Sequence, residues 1–346
     1  MTNRSQAKIK VFAGLDVSAR QISVARHRGQ EQELGVASFA HSTSGHKALV
    51  AYLLREPERA RVCLEASGHY SLDLALTLQA HPHIEVSLVN PRRARRFAES
   101  LGERSKTDPV DARVLCEYAE RMPWQAWQPP SWRALRLRAI TRAIEALGVL
   151  HTQEKNRAHA LASSQALPAM VLQERQRHQR YLEHRMERLR REALRLITRN
   201  RELDRRFRLM LTVPGIAQTS ALQILGELAV LSDTLHARQW VAFSGIDPSQ
   251  FTSGSSLEKR PRISRGGSRH LRRALYMPAL VALRREPHLR GFYQRLLSRG
   301  KPRLQAVVAV MPKLLHALFA MFRSNQSYDG SKLCPIALQS SPFKVA

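Results

Sequence analysis

The stretch from Lys106 to Arg113 carries two carboxylates, Asp108 and Asp111, on either side of a Pro109-Val110 pair. Positions i and i+3 share one face of a helix, so both carboxylates point at the same small volume. Two like charges held this close repel each other unless a cation lies between them or one is protonated. Hard divalent metals such as Mg²⁺ take oxygen ligands of this kind. The stretch is therefore a candidate metal site.

A second interpretation of the same residues needs no metal. Asp108 is a suitable N-cap, Pro109 a suitable first helical residue, and Asp111 the acid of a capping-box-like helix start. The two interpretations differ in what else they require. A metal site needs further carboxylates that converge on this helix start, whereas a cap does not.

Two further acids end predicted strands. Asp16 closes the β pattern over residues 8–16, and Glu65 closes the short buried pattern over residues 61–65. Each acid alone is typical of a solvated turn. Four converging carboxylates, however, hold two metal ions about 3.5–4 Å apart for in-line phosphoryl displacement. We therefore predict a catalytic site for Mg²⁺ (or Mn²⁺) whose ligands are Asp16, Glu65, Asp108 and Asp111.

The predicted elements place these acids together. Hydrophobic periodicity predicts strands over 8–16, 22–27, 33–39, 61–65 and 84–89, and helices over 42–56, 70–80, 92–101 and 108–122. This order, βββ-α-β-α-β-α, is that of an α/β RNase H-like (RuvC-like) domain, in which the first and fourth strands are neighbours. Residues 70–80 also alternate like a strand, but their Leu and Ala content favours a helix with Tyr70, Leu74, Ala75 and Leu78 on one face.

Beyond the first domain the chain is mostly helical. A segment rich in Pro and Trp, 123–130, marks the end of a domain over 1–125. Long helical patterns over 126–208 predict a coiled coil or antiparallel helix pair. A mainly α domain follows over 209–330, then a loose tail over 331–346. The Pro214-Gly215 turn between two predicted helices indicates a helix-hairpin-helix-like element, whose glycine turn presents backbone N–H groups to a phosphate.

The charge balance predicts a polyanionic partner. The 346 residues hold 56 Lys and Arg against 28 Asp and Glu, a net charge of +28. Such an excess is typical of nucleic-acid-binding proteins. We expect no membrane segment, because no apolar run reaches the length of a spanning helix. The polar N-terminus and the three scattered cysteines indicate a cytoplasmic protein without disulfides or a zinc site.

The strongest basic run predicts phosphate contacts. Between Lys259 and Arg303 there are fourteen Lys or Arg and one acid, Glu286, whereas a merely solvated face mixes both signs. The predicted nucleic-acid-binding residues are Lys259, Arg260, Arg262, Arg265, Arg269, Arg272 and Arg273.

A small polar loop precedes this run. A serine in the loop is a candidate nucleophile toward a phosphodiester, with the arginines stabilising the developing charge. The chemistry leaves open which of Ser253, Ser255 and Ser256 attacks, and a flexible Ser/Gly linker has the same composition.

Several ordered motifs resemble one family, the DEDD-type transposases of insertion-sequence family one-ten, which are bridge-RNA-guided recombinases. The similarity runs from Gly14 to about Asp329. The motifs that carry it are Gly14-Leu15-Asp16, Cys63-Leu64-Glu65-Ala66-Ser67-Gly68, Asn90-Pro91, Lys106-Thr107-Asp108-Pro109-Val110-Asp111-Ala112-Arg113, Pro214-Gly215-Ile216, Ser253-Gly254-Ser255-Ser256 and Leu271-Arg272-Arg273-Ala274-Leu275-Tyr276-Met277-Pro278-Ala279.

The resemblance implies more than the residues alone. It implies a RuvC-like domain whose tetrad is Asp16, Glu65, Asp108 and Asp111, and a C-terminal transposase domain whose catalytic serine is Ser253. It also implies a covalent link from that serine to cut DNA and a structured non-coding guide RNA that pairs with donor and target DNA. The resemblance further implies a homo-oligomer, a dimer to a tetramer. In this oligomer the serine of one protomer completes the metal site of another.

Two other functions use the same residues. A metal-only RNase H-like nuclease or Holliday-junction resolvase needs the four acids but not Ser253. A non-catalytic nucleic-acid-binding protein needs neither and keeps only the basic surface.

Overall fold

The computed structural model describes residues 9–29, 34–55, 59–66, 68–105, 107–162, 168–253 and 257–333. The chain divides into two compact units, Met1–Pro129 and Pro130–Ala346. The tail from Cys334 onward lies outside the described residues.

The first unit is built on a five-stranded mixed sheet. Its strands are β1 (Ile9–Val17), β2 (Gln21–Arg28), β3 (Gly35–Ala40), β4 (Arg59–Glu65) and β5 (Ile84–Val89), in the spatial order β3-β2-β1-β4-β5. β1, β2 and β3 form an antiparallel meander, whereas β1 pairs with β4, and β4 with β5, in parallel. The predicted neighbourhood of the first and fourth strands is confirmed.

Four helices cover the two faces of this sheet. They are α1 (Thr43–Leu53), α2 (His69–Gln79), α3 (Pro91–Ser100) and α4 (Asp108–Arg121). Leu49 and Leu53 of α1 and Leu74 and Leu78 of α2 share one core with Leu15 of β1. On the opposite face, α4 contacts β1, β2 and β4. Because side chains alternate along a strand, residues 12, 14 and 16 of β1 face α4.

The second unit is mainly helical. Its elements are α5 (Trp132–Ala162), α6 (Ala169–Thr198), α7 (Arg201–Leu211), α8 (Gln218–Leu228), α9 (Ala237–Ser244), β6 (Pro248–Ser253), β7 (Leu257–Ile263), α10 (Arg269–Arg285), α11 (Pro287–Ser298) and α12 (Arg303–Ser324), with a short 3₁₀ turn at Gly330–Lys332. α5 and α6 pack along each other, with Leu147, Leu182 and Met186 between them. The coiled-coil character of this pair stays a prediction.

Two elements of the second unit differ from the sequence-based prediction. The helical pattern expected to continue to residue 208 is interrupted after Thr198, because the side chain of Asn200 accepts a hydrogen bond from the Leu203 amide (2.9 Å) and starts α7. The expected polar loop around Ser253 is part of an antiparallel hairpin, β6–β7.

One helix among the described residues, α12, is long and apolar enough to cross a membrane by length and composition alone. Its buried side chains, among them Leu314 and Leu318, belong to the core of the second unit. Packing of that core accounts for its apolar composition.

Candidate active site

Strand pairing places Asp16 beside Glu65. The last residue pair of the parallel β1–β4 ladder is Leu15 with Leu64, and the two acids follow one residue later. Both therefore stand at the carboxyl ends of adjacent parallel strands. Cys63, two residues before Glu65, packs with residues of α4, so Glu65 faces the same helix by strand alternation.

Gly14 brings α4 directly onto the sheet. A Cβ atom at Gly14 would lie 2.1 Å from the Ala112 carbonyl oxygen and 2.2 Å from the Cys116 amide nitrogen. The thiol of Cys116 also donates a hydrogen bond to the Phe12 carbonyl (3.3 Å). The helix backbone thus rests on the strand two residues before Asp16. The sequence motif that contains Gly14 does not reveal this close contact with α4.

The start of α4 differs from the capping interpretation. The N-cap is Thr107, not Asp108, and the first helical hydrogen bond runs from the Asp111 amide to the Thr107 carbonyl (2.9 Å). Asp108 and Asp111 are both in the first turn. Their carboxylates lie where the exposed N–H groups of a helix favour negative charge. The proposed capping box, with Asp108 at the N-cap, is therefore wrong.

The pKa of Asp16 is affected by all three other acids. Its pKa is raised from 3.8 to about 6, first by burial and then by the negative charges of Asp108, Asp111 and Glu65, in that order of importance. A hydrogen bond with the Val17 backbone opposes the shift only weakly. The four predicted acids therefore share one electrostatic site, in which an added negative charge is unfavourable and a cation is favourable.

The four carboxylates are the kind of ligands that a divalent cation prefers, but they are not grouped as a complete coordination shell in this structure. Among the described residues, no three His, Cys, Asp or Glu side chains are close enough together to hold a metal ion. Backbone register fixes the positions of Asp16 and Glu65, and the Gly14 contact fixes that of α4.

In the second unit, Ser253 ends β6. Its backbone pairs with Leu257 of β7, so it stands beside the turn of the hairpin. The side chains of Ser253, Lys259 and Arg260 are outside the described part of the structure, as are Gly254, Ser255 and Ser256 entirely. The roles predicted for these residues stay predictions.

The base of this hairpin is anchored to α9. Ser264 donates a hydrogen bond through its amide to the Asp247 carbonyl (2.9 Å), and the Arg265 amide bonds the Gly245 carbonyl (3.0 Å). A Cβ atom on Gly267 would lie 2.0 Å from the Phe243 carbonyl oxygen. The loop that joins β7 to α10 is thus packed tightly against the end of α9.

A buried charge network ties that loop to two more helices. Glu227 of α8 is 1% exposed and accepts two hydrogen bonds from Arg142 of α5, at 2.6 and 3.0 Å. Ser268, the N-cap of α10, donates to the same carboxylate (2.7 Å). Burial alone would raise the pKa of Glu227, but Arg142 and Ser268 together lower it. No sequence pattern predicted this network, because its three residues lie far apart along the chain.

The predicted basic residues divide into two groups. Arg262, Arg265 and Arg269 are exposed. Arg272 instead donates a hydrogen bond to the Ser244 carbonyl (2.9 Å), and Arg273 forms an ion pair with Glu145 (3.4 Å). Arg262, Arg265 and Arg269 are available for phosphate contacts. Arg272 is held by the carbonyl at the end of α9, whereas Arg273 is 60% exposed despite its ion pair.

The Pro214-Gly215 turn is packed rather than open. Gly215 has φ of 100°, and a Cβ atom there would lie 2.5 Å from the Pro278 carbonyl oxygen of α10. The exposed positions are Ala217, Gln218 and Thr219, at the start of α8. A phosphate contact by this element stays a prediction, and Gly215 itself serves packing. A neighbouring cavity of about 880 Å³ is lined by Gly215 and Arg269, among others.

Family models match both units. Residues 13–165 match a model of DEDD-type IS110 transposases described as "Transposase". Residues 207–294 match a second model, described as "Transposase IS116/IS110/IS902 family". The first match covers all four acids, and the second covers the β6–β7 hairpin and α10.

Curated relatives extend over most of the chain. A "Pilin gene-inverting protein" of Moraxella bovis is 28% identical over 327 residues, covering 92% of this chain and 98% of the relative. Its counterpart from Moraxella lacunata is 32% identical over 267 residues, covering 77% and 81%. The "Transposase for insertion sequence element IS1328" of Yersinia enterocolitica is 24% identical over 231 residues, covering 60% and 66%.

Proposed function

Because this chain belongs to the IS110 family of DEDD transposases, enzymes that act on DNA, we propose that it cuts and rejoins donor and target DNA at a composite site. In this proposal, Asp16, Glu65, Asp108 and Asp111 bind divalent metal, and Ser253 is the nucleophile. A structured non-coding RNA guides the choice of DNA through base pairing. The names of the Moraxella relatives support rejoining as well as cutting, because inverting a gene requires both.

The observation that carries the proposal is the electrostatic state of Asp16. Its pKa is raised to about 6 by burial and by three other acids that come from distant parts of the chain. A fold gains no stability from gathering four like charges, so a functional role is the economical explanation. Mg²⁺ or Mn²⁺ bound there would neutralise these charges and polarise the scissile phosphate.

The carboxylates would position the phosphate rather than attack it. Asp16 and Glu65 are fixed by the sheet, and Asp108 and Asp111 by the first turn of α4. Such preorganised groups act without rearranging during the reaction, which is the main source of their catalytic effect. An acid that is protonated binds metal poorly, so the raised pKa of Asp16 in the metal-free site implies a metal affinity that falls as the pH drops below about 6.

Ser253 would provide the covalent step. Its Oγ attacks the phosphorus of a phosphodiester, the bond to the leaving deoxyribose oxygen breaks, and the serine proton passes to that oxygen through solvent or a nearby base. The free hydroxyl of another strand end then attacks the phosphoserine and releases the enzyme. Because one phosphodiester is exchanged for another, rejoining needs no external energy source.

Nucleic-acid binding and assembly complete the proposal. The exposed arginines, Arg262, Arg265 and Arg269, would contact backbone phosphates close to the Ser253 hairpin, with Lys259, Arg260, Arg272 and Arg273 as further predicted contacts. The family pattern further implies a dimer or tetramer in which the serine of one protomer serves the carboxylates of another. The proposed domains follow the predicted ranges, 1–125, 126–208, 209–330 and 331–346.

A cleavage assay tests the proposal. Wild type and Ser253→Ala are incubated with donor DNA, target DNA, Mg²⁺ and RNA transcribed from the flanking element. Products are run on a denaturing gel before and after protease. We expect a slow, protease-sensitive DNA species with wild type that is absent with Ser253→Ala.

Two controls and two alternative outcomes complete the test. Omitting the RNA should abolish site-specific products, and Asp16→Asn should abolish all cutting. Cleavage by Ser253→Ala that leaves only free DNA ends would instead identify a metal-only nuclease. No cleavage by any variant or wild type under these conditions would favour a non-catalytic nucleic-acid-binding protein.

A further inference from the structure

An aromatic side chain near the carboxylates is exposed where the sequence predicts burial. Periodicity places Tyr70 on the same face of α2 as Leu74 and Leu78. Those two leucines are fully buried, whereas Tyr70 is 53% exposed. It lies in the first turn of α2. The core therefore does not account for a large aromatic residue here.

The Tyr70 ring is held by a second ring. It meets His41 edge-on, with ring centres 5.6 Å apart and planes at 72°. His41 in turn is fastened to the chain after β1, because its Nδ1 atom lies 2.8 Å from the Ser18 carbonyl oxygen. Its backbone amide also donates to the Arg20 carbonyl (2.9 Å). We call Tyr70 and His41 together the aromatic shelf.

The aromatic shelf lies at the end of the sheet where Asp16 and Glu65 stand, although α2 packs on the face opposite α4. Ser18, which holds His41, is two residues after Asp16. Gly68, the N-cap of α2, is three residues after Glu65. Gly68 has φ of 136°, and a Cβ atom built on it would meet nothing within 4 Å. The start of α2 is therefore uncovered at Gly68, two residues before Tyr70.

We propose that the aromatic shelf binds an unpaired base of the nucleic-acid strand held at the carboxylate site, with the Tyr70 ring stacked on the base. This inference rests on the function proposed above. Every base has a π face, so stacking holds a strand without reading its sequence. An edge-on contact with His41 covers at most one face of the Tyr70 ring and leaves the other face for this purpose. Stacking of the base would fix the rotation of the strand about the phosphate that reacts.

Photocrosslinking of an oligonucleotide tests this proposal without any cleavage step. Single-stranded DNA with 5-iodouracil at each position in turn is bound to the full-length protein in EDTA and irradiated, and crosslinked peptides are identified by mass spectrometry. Wild type is compared with Tyr70→Leu, Tyr70→Phe and Tyr181→Leu. Tyr181 on α6 is a matched control, because it is 58% exposed and also contacts a histidine ring, that of His178.

We expect wild type and Tyr70→Phe to crosslink at residue 70, and Tyr70→Leu to lose this crosslink and about tenfold in affinity for the strand, the usual effect of removing one base–aromatic stack. Tyr181→Leu should retain the residue-70 crosslink. Crosslinks that never include residue 70, or unchanged affinity in Tyr70→Leu, would overturn the proposal. Thermal unfolding of each variant distinguishes loss of stacking from loss of fold. Because EDTA removes metal, failure of the metal-dependent reaction leaves this result interpretable.

Discussion

At the level of single residues, Asp16 links the fold to the chemistry. It belongs to a sheet that is otherwise well packed, with Ala13 and Leu15 fully buried just before it. Yet it carries a charge that burial and three neighbouring acids disfavour. Sites of this kind reduce stability in exchange for function, and removing the charge commonly stabilises the protein. The carboxylate should therefore behave as a functional rather than a structural residue.

Asp16→Asn should raise the free energy of unfolding in EDTA, by an amount that depends on pH. The carboxyl has a pKa of 3.8 when unfolded and about 6 when folded. Between these values the folded wild type binds the extra proton, so its stability falls as pH rises through this window and stays lower above it. Urea unfolding from pH 4 to 8 should show the variant's advantage growing up to about pH 6 and then levelling off.

Two comparisons make that test decisive. Glu99→Gln removes an exposed acid of α3 that pairs with Arg95, and it should change stability little at any pH. Saturating Mg²⁺ should stabilise wild type and cancel the advantage of Asp16→Asn. A variant that is less stable than wild type at pH 7 in EDTA would show that the carboxylate is structural.

At the level of elements, the sequence predicted the first unit better than the second. Strand and helix periodicities predicted the order of elements along the chain, and the RNase H-like arrangement predicted the neighbourhood of β1 and β4. The hairpin β6–β7 was missed, since its strands are polar and basic and lack that alternation. The end of α6 depends on a single Asn200 cap within a continuous helical pattern.

For the candidate site too, the sequence predicted some features and missed others. Periodicity and strand ends identified the four acids, because their positions follow from element order. The Gly14 contact, the Thr107 cap and the Glu227 network depend on which backbones meet in three dimensions. Tyr70 was assigned to the wrong environment, because helical spacing cannot show that the first turn of α2 is exposed while Leu74 and Leu78 of the later turns are buried.

The contact between β1 and α4 predicts a severe effect of Gly14→Ala. The added methyl group would overlap the backbone at Ala112 and Cys116 and must push α4 away from the sheet. Overpacking of this kind costs about 1–3 kcal/mol or more. We expect Gly14→Ala to lower the free energy of unfolding by at least that amount and to abolish DNA cleavage. Chemical denaturation and the cleavage assay measure the two effects.

Gly291→Ala is the matched control for that substitution. Gly291 lies within α11, and a Cβ atom there meets nothing within 4 Å. Alanine should stabilise this helix by about 0.5–1 kcal/mol. If Gly14→Ala were as well tolerated, α4 would not rest on β1 as described.

The junction of α5, α8 and α10 predicts that Glu227→Gln is strongly destabilising. The substitution leaves Arg142 facing a neutral partner in a buried setting, and it weakens the contact with Ser268. Breaking a buried pair from one side costs about 3–5 kcal/mol. Urea unfolding should show a loss in this range, whereas Glu192→Gln, at an exposed pair with Arg195, should lose less than about 1 kcal/mol. Equal losses for the two would mean that the network has no special role.

At the level of the whole molecule, the net charge of +28 makes the affinity for nucleic acids depend on salt concentration. Each phosphate that an arginine neutralises releases condensed counterions, so affinity falls steeply with salt. Affinity for DNA and RNA should therefore decrease strongly between low and physiological salt. A flat salt dependence would contradict a phosphate-dominated interface.

Three exposed arginines should account for a defined part of this dependence. Replacing Arg262, Arg265 and Arg269 together by Ala should lower the slope of log affinity against log salt by about two to three. The matched control replaces Arg95, Arg177 and Arg195, which are exposed but each paired with a glutamate. It removes the same net charge. If both triple variants change the slope equally, binding depends on total charge rather than on this surface.

Metal binding to the four carboxylates is the central claim, and Mn²⁺ titration followed by electron paramagnetic resonance tests it most directly. Wild type, Glu99→Gln and single amide variants of Asp16, Glu65, Asp108 and Asp111 are compared at pH 7.5, above the raised pKa of Asp16. We predict that wild type and Glu99→Gln bind Mn²⁺ equally and that each tetrad variant loses tenfold or more in affinity. Equal binding by all six proteins would show that the four acids do not form a metal site.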